Sequence, residues 1–133
     1  MANALYTQGK MHLWAGDIDI DADTIKVVLI DEDDDAPTLA TDDALDDILE
    51  AARVGTSDAL ASKTPVDGTF DAADTTLSAV TGDQFESITT FKDSGVEGTS
   101  YLICNHDTGT GFPCTPNGGD ITIEWNASGI ATL

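Results

Sequence analysis

The segment Thr24-Ile-Lys-Val-Val-Leu-Ile-Asp31 (TIKVVLID) decides the fold class. It is short, apolar and rich in β-branched residues, which favour the pleated, half-buried geometry of a strand over a helix. An acidic loop, Asp31-Glu32-Asp33-Asp34-Asp35, and Pro37 end it. Downstream of residue 54 the pattern repeats as strands and turns. Expected strands are 57–63, 69–70 running into 75–80, 86–92, 100–106, 120–125 and 130–133. Glycine-containing turns at 66–68, 81–83, 93–98, 108–111 and 116–119 separate them. Strand signals every 8 to 15 residues with such punctuation predict a mostly-β chain, a single-domain sandwich or barrel. The inward set is expected to be Val27, Leu29, Phe85, Ile88, Phe91, Leu102, Cys104, Ile121, Ile123 and Trp125.

Upstream, residues 4–15 read as a short helix with Tyr6, Lys10 and Leu13 on one face and Gly16 as its stop. Met11 and Trp14 sit beside that face. They either pack on the sheet, the favoured reading, or present an apolar patch to a partner. Asp17, Asp19, Asp21 and Asp23 alternate with Ile18, Ile20 and Ala22 at a period of two. A second short helix is expected near 42–53. It would start at Thr41-Asp42-Asp43, carry a buried stripe of Leu45, Ile48, Leu49 and Ala52, and end by Arg53. Residues 1–133 therefore read as one domain: a helix at 4–15 and a β-rich body over 24–133.

The charge balance is extreme. The 133 residues contain 25 acidic and 5 basic side chains, a net charge of −20. Twenty of the acids are Asp, and Arg53 is the one arginine. Nucleic-acid binding needs clustered Lys and Arg, so that class is excluded, as is attraction to an anionic membrane surface. A hydrophobic content of 41% separates the chain from disordered acidic tails. Over the surface expected for this mass, net charges lie roughly 18 Å apart. In dilute salt they repel; at about 1 M salt the Debye length shrinks to roughly 3 Å and the repulsion fades. The composition thus suits concentrated salt. No basic-then-apolar leader opens the chain and no apolar run approaches membrane-spanning length, so an intracellular product, or one assembled inside a cell, is expected.

Few residues suggest chemistry. Cys104 and Cys114 flank a segment whose Thr108-Gly109-Thr110-Gly111 core reads as a hairpin turn. A hairpin centred at 109 would set them opposite each other, either as a disulfide or as two buried thiols. Cys104, His106 and Cys114 make three soft ligands with no obvious fourth, a weak zinc pattern. The Asp17–Asp23 series fails the helix–loop–helix calcium pattern, because Ala22 and Val28 stand where Gly and Glu are needed. Looser ion binding by clustered Asp stays open, and so does the metal question as a whole. His12 and His106 are the only histidines, and no nucleophile elbow or phosphate loop occurs. No catalytic residue and no cofactor is assigned, and the chain is expected not to be an enzyme.

Several motifs in order, MANALYTQGK…GDIDI, DTIKVVLID, AARVGTS, DGTFDAADTTLSAVTGDQFESITTFKD and DTGTGFPCTPNGGDITIEW, resemble a group of small virion proteins encoded among the head genes of tailed viruses of bacteria and archaea. The resemblance spans about residues 1–125. Members of that group have ordinary charge and apolar residues where this chain has Cys104 and Cys114. The resemblance implies a non-catalytic particle component assembled in the host cytoplasm, and together with the acidic composition it leads to the expectation of a place on the capsid exterior of a halophilic virus. A capsid decoration or cement protein bound to the major capsid protein is the first expectation, as a homo-oligomer such as a trimer. Tyr6, Met11 and Trp14 would then supply the contact. A head–tail connector, a tail-associated protein, or a turret or fibre module binding host glycans are the alternatives.

Overall fold

The structure, a computed structural model, describes residues 3–132. It is mostly β, with ten short strands in antiparallel pairings among those residues. The segment TIKVVLID forms β2 (Ile25–Ile30) near the middle of a five-stranded sheet. Its neighbours are β3 (Arg53–Thr56) on one side and β7 (Ser87–Lys92) on the other. Beyond β7 lie β8 (Leu102–His106) and then β1 (Ala4–Leu5). Two smaller sheets join β10 (Ala131–Thr132), β5 (Thr69–Asp71) and β4 (Thr64–Val66), and β6 (Thr75–Leu77) with β9 (Ile121–Ile123).

Alternation along β2 divides the core. Ile25, Val27 and Leu29 face a large cluster with Phe70, Leu77, Phe85, Ile88 and Ile130, so the small sheets cover that face. Val28 and Ile30 face a second cluster with Tyr6, Ile48, Ala52, Phe91 and Leu102. A sheet buried on both sides explains why β2 reads as an unbroken apolar run. Between β7 and β8 the register slips: Thr90 pairs with Cys104 but Phe91 pairs with Leu102, leaving Ile103 as the extra residue of a bulge. The bulge sends both Ile103 and Cys104 into the large cluster while Leu102 joins the other.

Several sequence expectations need correction. The first helix, α1 (Thr7–Ala15), is shorter than 4–15 because Ala4–Leu5 pairs with β8 as β1. It ends as expected at Gly16, whose φ of 84° is the left-handed conformation of a helix stop. The helix expected near 42–53 is instead two 3-10 turns, Leu45–Asp47 and Glu50–Ala52, leading into β3. Side chains there take over the backbone's hydrogen bonds. Asp47 Oδ2 accepts from the Asp43 and Ala44 N–H groups, Asp35 from that of Leu49, and Arg53 donates to the Leu45 and Ile48 carbonyls. Residues 57–63 carry no strand, and β4 replaces part of what reads as their continuation. The alternating 17–23 segment is a turn, closed by Asp19 accepting from the Asp21 and Ala22 N–H groups.

Candidate interaction surface

Helix α1 is held to the sheet at Gly9, which is fully packed over the β8 bulge. A Cβ there would collide with the Leu102 carbonyl oxygen and stand 3.0 Å from that of Ile103. Close approach fixes which helix face points inward. It also corrects the role expected for Tyr6. This ring is buried at the helix N-cap, and its hydroxyl lies 2.8 Å from Thr89 Oγ1 inside a polar chain that Asn105 Nδ2 extends to Ser87. Burial pushes the phenol pKa up. Tyr6 is therefore a core residue and offers no partner contact. Met11 and Trp14 are the opposite: 58% and 80% exposed, one turn apart on the outer face of α1. They do not pack on the sheet. Trp125, by contrast, is half-buried against the core beside His106.

Beside α1 an apolar cavity of about 220 Å³ opens between the helix, the β1 edge and the β4–β5 hairpin. Leu13, Leu5, Ile20, Val66, Phe70 and Ile103 line it, with no charged side chain among the lining residues. The carboxylates stand next to it in the chain: Asp19 and Asp21 flank Ile20, and Asp67 lies between Val66 and Gly68, all three exposed. Most basic side chains are tied into the molecule. Lys26 pairs with Asp93 at 2.7 Å, Arg53 with Glu97 at 2.9 Å and Lys92 with Asp23 at 3.2 Å, and Lys63 donates to the Asp23 carbonyl. Lys10 is exposed.

His12 anchors the far side of α1. Its Nδ1 lies 2.8 Å from Asp17 Oδ2 and its Nε2 2.7 Å from Asp43 Oδ1, and the ring stacks on Tyr101 at 3.6 Å. Two carboxylates can only accept, so both contacts are hydrogen bonds only with the ring protonated, and the site favours the imidazolium. Burial opposes the charge, but the two carboxylates outweigh it and raise the pKa above 6.5. Sequence reading missed this node, because partners at 17 and 43 come together only through the fold.

An acidic corner lies at the end of β2, where α2 (Glu32–Asp35) begins. Asp31, Asp34 and Asp83 bring carboxylate oxygens within 4.8 Å of one another, as do Asp31, Asp33 and Glu86. Glu32 Oε2 and Glu86 Oε2 are buried there without a hydrogen-bond donor. Burial first, and then the neighbouring carboxylates, raise the Glu86 pKa.

The cysteines do not meet across a hairpin. Both edges of β8 are occupied, by β1 and β7, so no strand can fold back from residue 109 onto it. Cys104 pairs with Thr90 and Leu5, whereas Cys114 bridges Phe85. Both are free thiols, and burial pushes the Cys104 pKa up to about 12. A neutral, enclosed thiol is neither a nucleophile nor a soft ligand. His106 Nε2 is 2.9 Å from the Ile130 carbonyl oxygen, and burial lowers its pKa. Cys104, His106 and Cys114 form no ligand set among the described residues, where the candidate groupings are carboxylates alone. No described helix is long and apolar enough to cross a membrane. No protein-family model matches the chain, and no curated protein matches its sequence.

Proposed function

We propose that the chain is a non-catalytic structural protein of a virion that works in concentrated salt, most simply a capsid decoration protein binding the major capsid protein lattice. The observation that carries this reading is the outer face of α1. Two large apolar side chains, Met11 and Trp14, stand exposed at adjacent turns on a surface otherwise dominated by carboxylates. A solvated acidic surface keeps such a molecule apart from its copies, while a localised apolar patch next to a groove gives adhesion. The residue types suited to chemistry are engaged elsewhere: Cys104 is enclosed, His106 faces a carbonyl and His12 is clamped by two carboxylates. The resemblance to small head proteins of tailed viruses supports the same reading.

Quantitative mass spectrometry of purified, salt-washed particles, normalised to the major capsid protein, tests it. Decoration requires a copy number comparable to the shell subunits. A ratio of a few per cent would favour a connector or tail position, and absence from washed particles would end the virion reading.

A further inference from the structure

We infer that the apolar groove between α1 and the β4–β5 hairpin receives one large apolar side chain, aromatic or branched aliphatic, from a protein segment in which lysine or arginine flanks that side chain. The inference names the partner chemistry of the adhesive face and rests on the proposed function only in taking the chain to act by binding protein.

Size and lining set the central residue. A dry apolar cavity of roughly 150 Å³ already holds a benzene molecule. The groove here measures about 220 Å³ and is walled by Leu5, Leu13, Ile20, Val66, Phe70 and Ile103. It therefore accommodates one ring or branched side chain with little room for a second. Burying such a side chain and the 60%-exposed Val66 together removes apolar surface that the free chain leaves in water.

Charge sets the flanks. Asp19, Asp21 and Asp67 are the exposed chain neighbours of lining residues, and the whole molecule carries −20. An acidic protein or an anionic lipid surface would bring like charge to these positions. A second copy of this chain fits poorly for the same reason. Four of its five basic side chains are already engaged with its own acids or carbonyls, leaving little to set against a second copy's acids. A basic segment brings opposite charge to this acidic surface while its apolar residue fills the groove. At molar salt, where the Debye length is about 3 Å, only pairs at contact distance keep part of this attraction.

The test uses the full ¹⁵N-labelled chain in 1 M KCl and three synthetic heptapeptides: GKRFRKG, GKRARKG and GEEFEEG. Titration of the first should shift the amides of Leu13, Ile20, Gly68 and Ala131. Replacing its Phe by Ala should weaken binding at least tenfold, and reversing its charges at least threefold. Val66→Asp, at an exposed strand position, should weaken the first peptide tenfold without moving the melting temperature. Asp21→Lys with Asp67→Lys should reverse the preference between the basic and acidic peptides. Equal binding of the Phe and Ala peptides, equal binding of the acidic peptide, or shifts confined to another surface would overturn the inference. Groove shifts on concentrating the protein alone would also overturn it, by making a second copy the occupant. None of these outcomes involves particles, so failure here is separable from failure of the virion reading.

Discussion

Raising KCl from 0.1 M to 1 M should stabilise the fold by about 4 kcal/mol through screening alone. The accessible surface of 6667 Å² corresponds to a sphere of about 23 Å radius. Carrying −20, that sphere has a self-repulsion of roughly 11 kcal/mol at 0.1 M and about 4 kcal/mol at 1 M. An unfolded coil of about 38 Å radius spreads the same charge and carries roughly 4.5 and about 1.6 kcal/mol under those conditions. The difference penalises the compact state by roughly 6 kcal/mol in dilute salt, comparable to the whole stability of an ordinary domain. With an unfolding entropy of about 2.1 cal/mol/K per residue, the gain corresponds to a melting-temperature rise of about 14 °C. Circular dichroism melts in KCl and NaCl at matched ionic strength measure it, and the two salts should superimpose. A rise below about 3 °C, or one complete by about 10 mM salt, would refute screening as the cause. The second result would instead indicate specific ion binding.

Three further outcomes follow from the packing. Gly9→Ala should destabilise by about 1–2 kcal/mol, because forcing a methyl against the β8 carbonyls outweighs the roughly 1 kcal/mol gain in helix propensity; thermal melts of the variant check the sign. The His12 pKa is higher folded than unfolded, so its stabilisation is full below pH 6.5 and is lost as pH rises through the folded value. With both carboxylate partners nearly half-exposed, the loss should be about 1 kcal/mol. His12→Gln should flatten the change in melting temperature between pH 6 and pH 9. Cys104 should resist a thiol reagent until the protein unfolds, while half-buried Cys114 reacts in the native state; a melting temperature lowered by reductant would contradict two free thiols.

The parts of the fold legible in the sequence are those set by local side-chain pattern. TIKVVLID reads as a strand because its β-branched residues permit little else, and β7 and β8 follow from similar runs. Local pattern misleads where distant groups capture the backbone. Leu45, Ile48, Leu49 and Ala52 have helical spacing, yet the Leu45 N–H donates to the Ser100 carbonyl and Arg53 claims the carbonyls a helix would use. Leu49 then points outward at 59% exposure. The hairpin at 104–114 fails because turn residues do not reveal that β8 already has two neighbours. Of the expected contact set, helical periodicity alone could not separate Tyr6 from Met11 and Trp14. The Thr89 hydroxyl, 83 positions away, and the apolar cluster around Val28 and Phe91 explain why Tyr6 turns inward. The groove was not legible at all, since its walls come from six separate stretches of chain.

Reattachment to shells tests the adhesive role of the α1 face most directly. Particles stripped of their outer proteins and mixed in 2 M KCl with purified chain should carry it down on sedimentation. The Met11→Ser, Trp14→Ser double variant, equally folded by its melting temperature, should bind at least tenfold less. Wild-type chain left in the supernatant, or a double variant that sediments as well as wild type, would contradict the account.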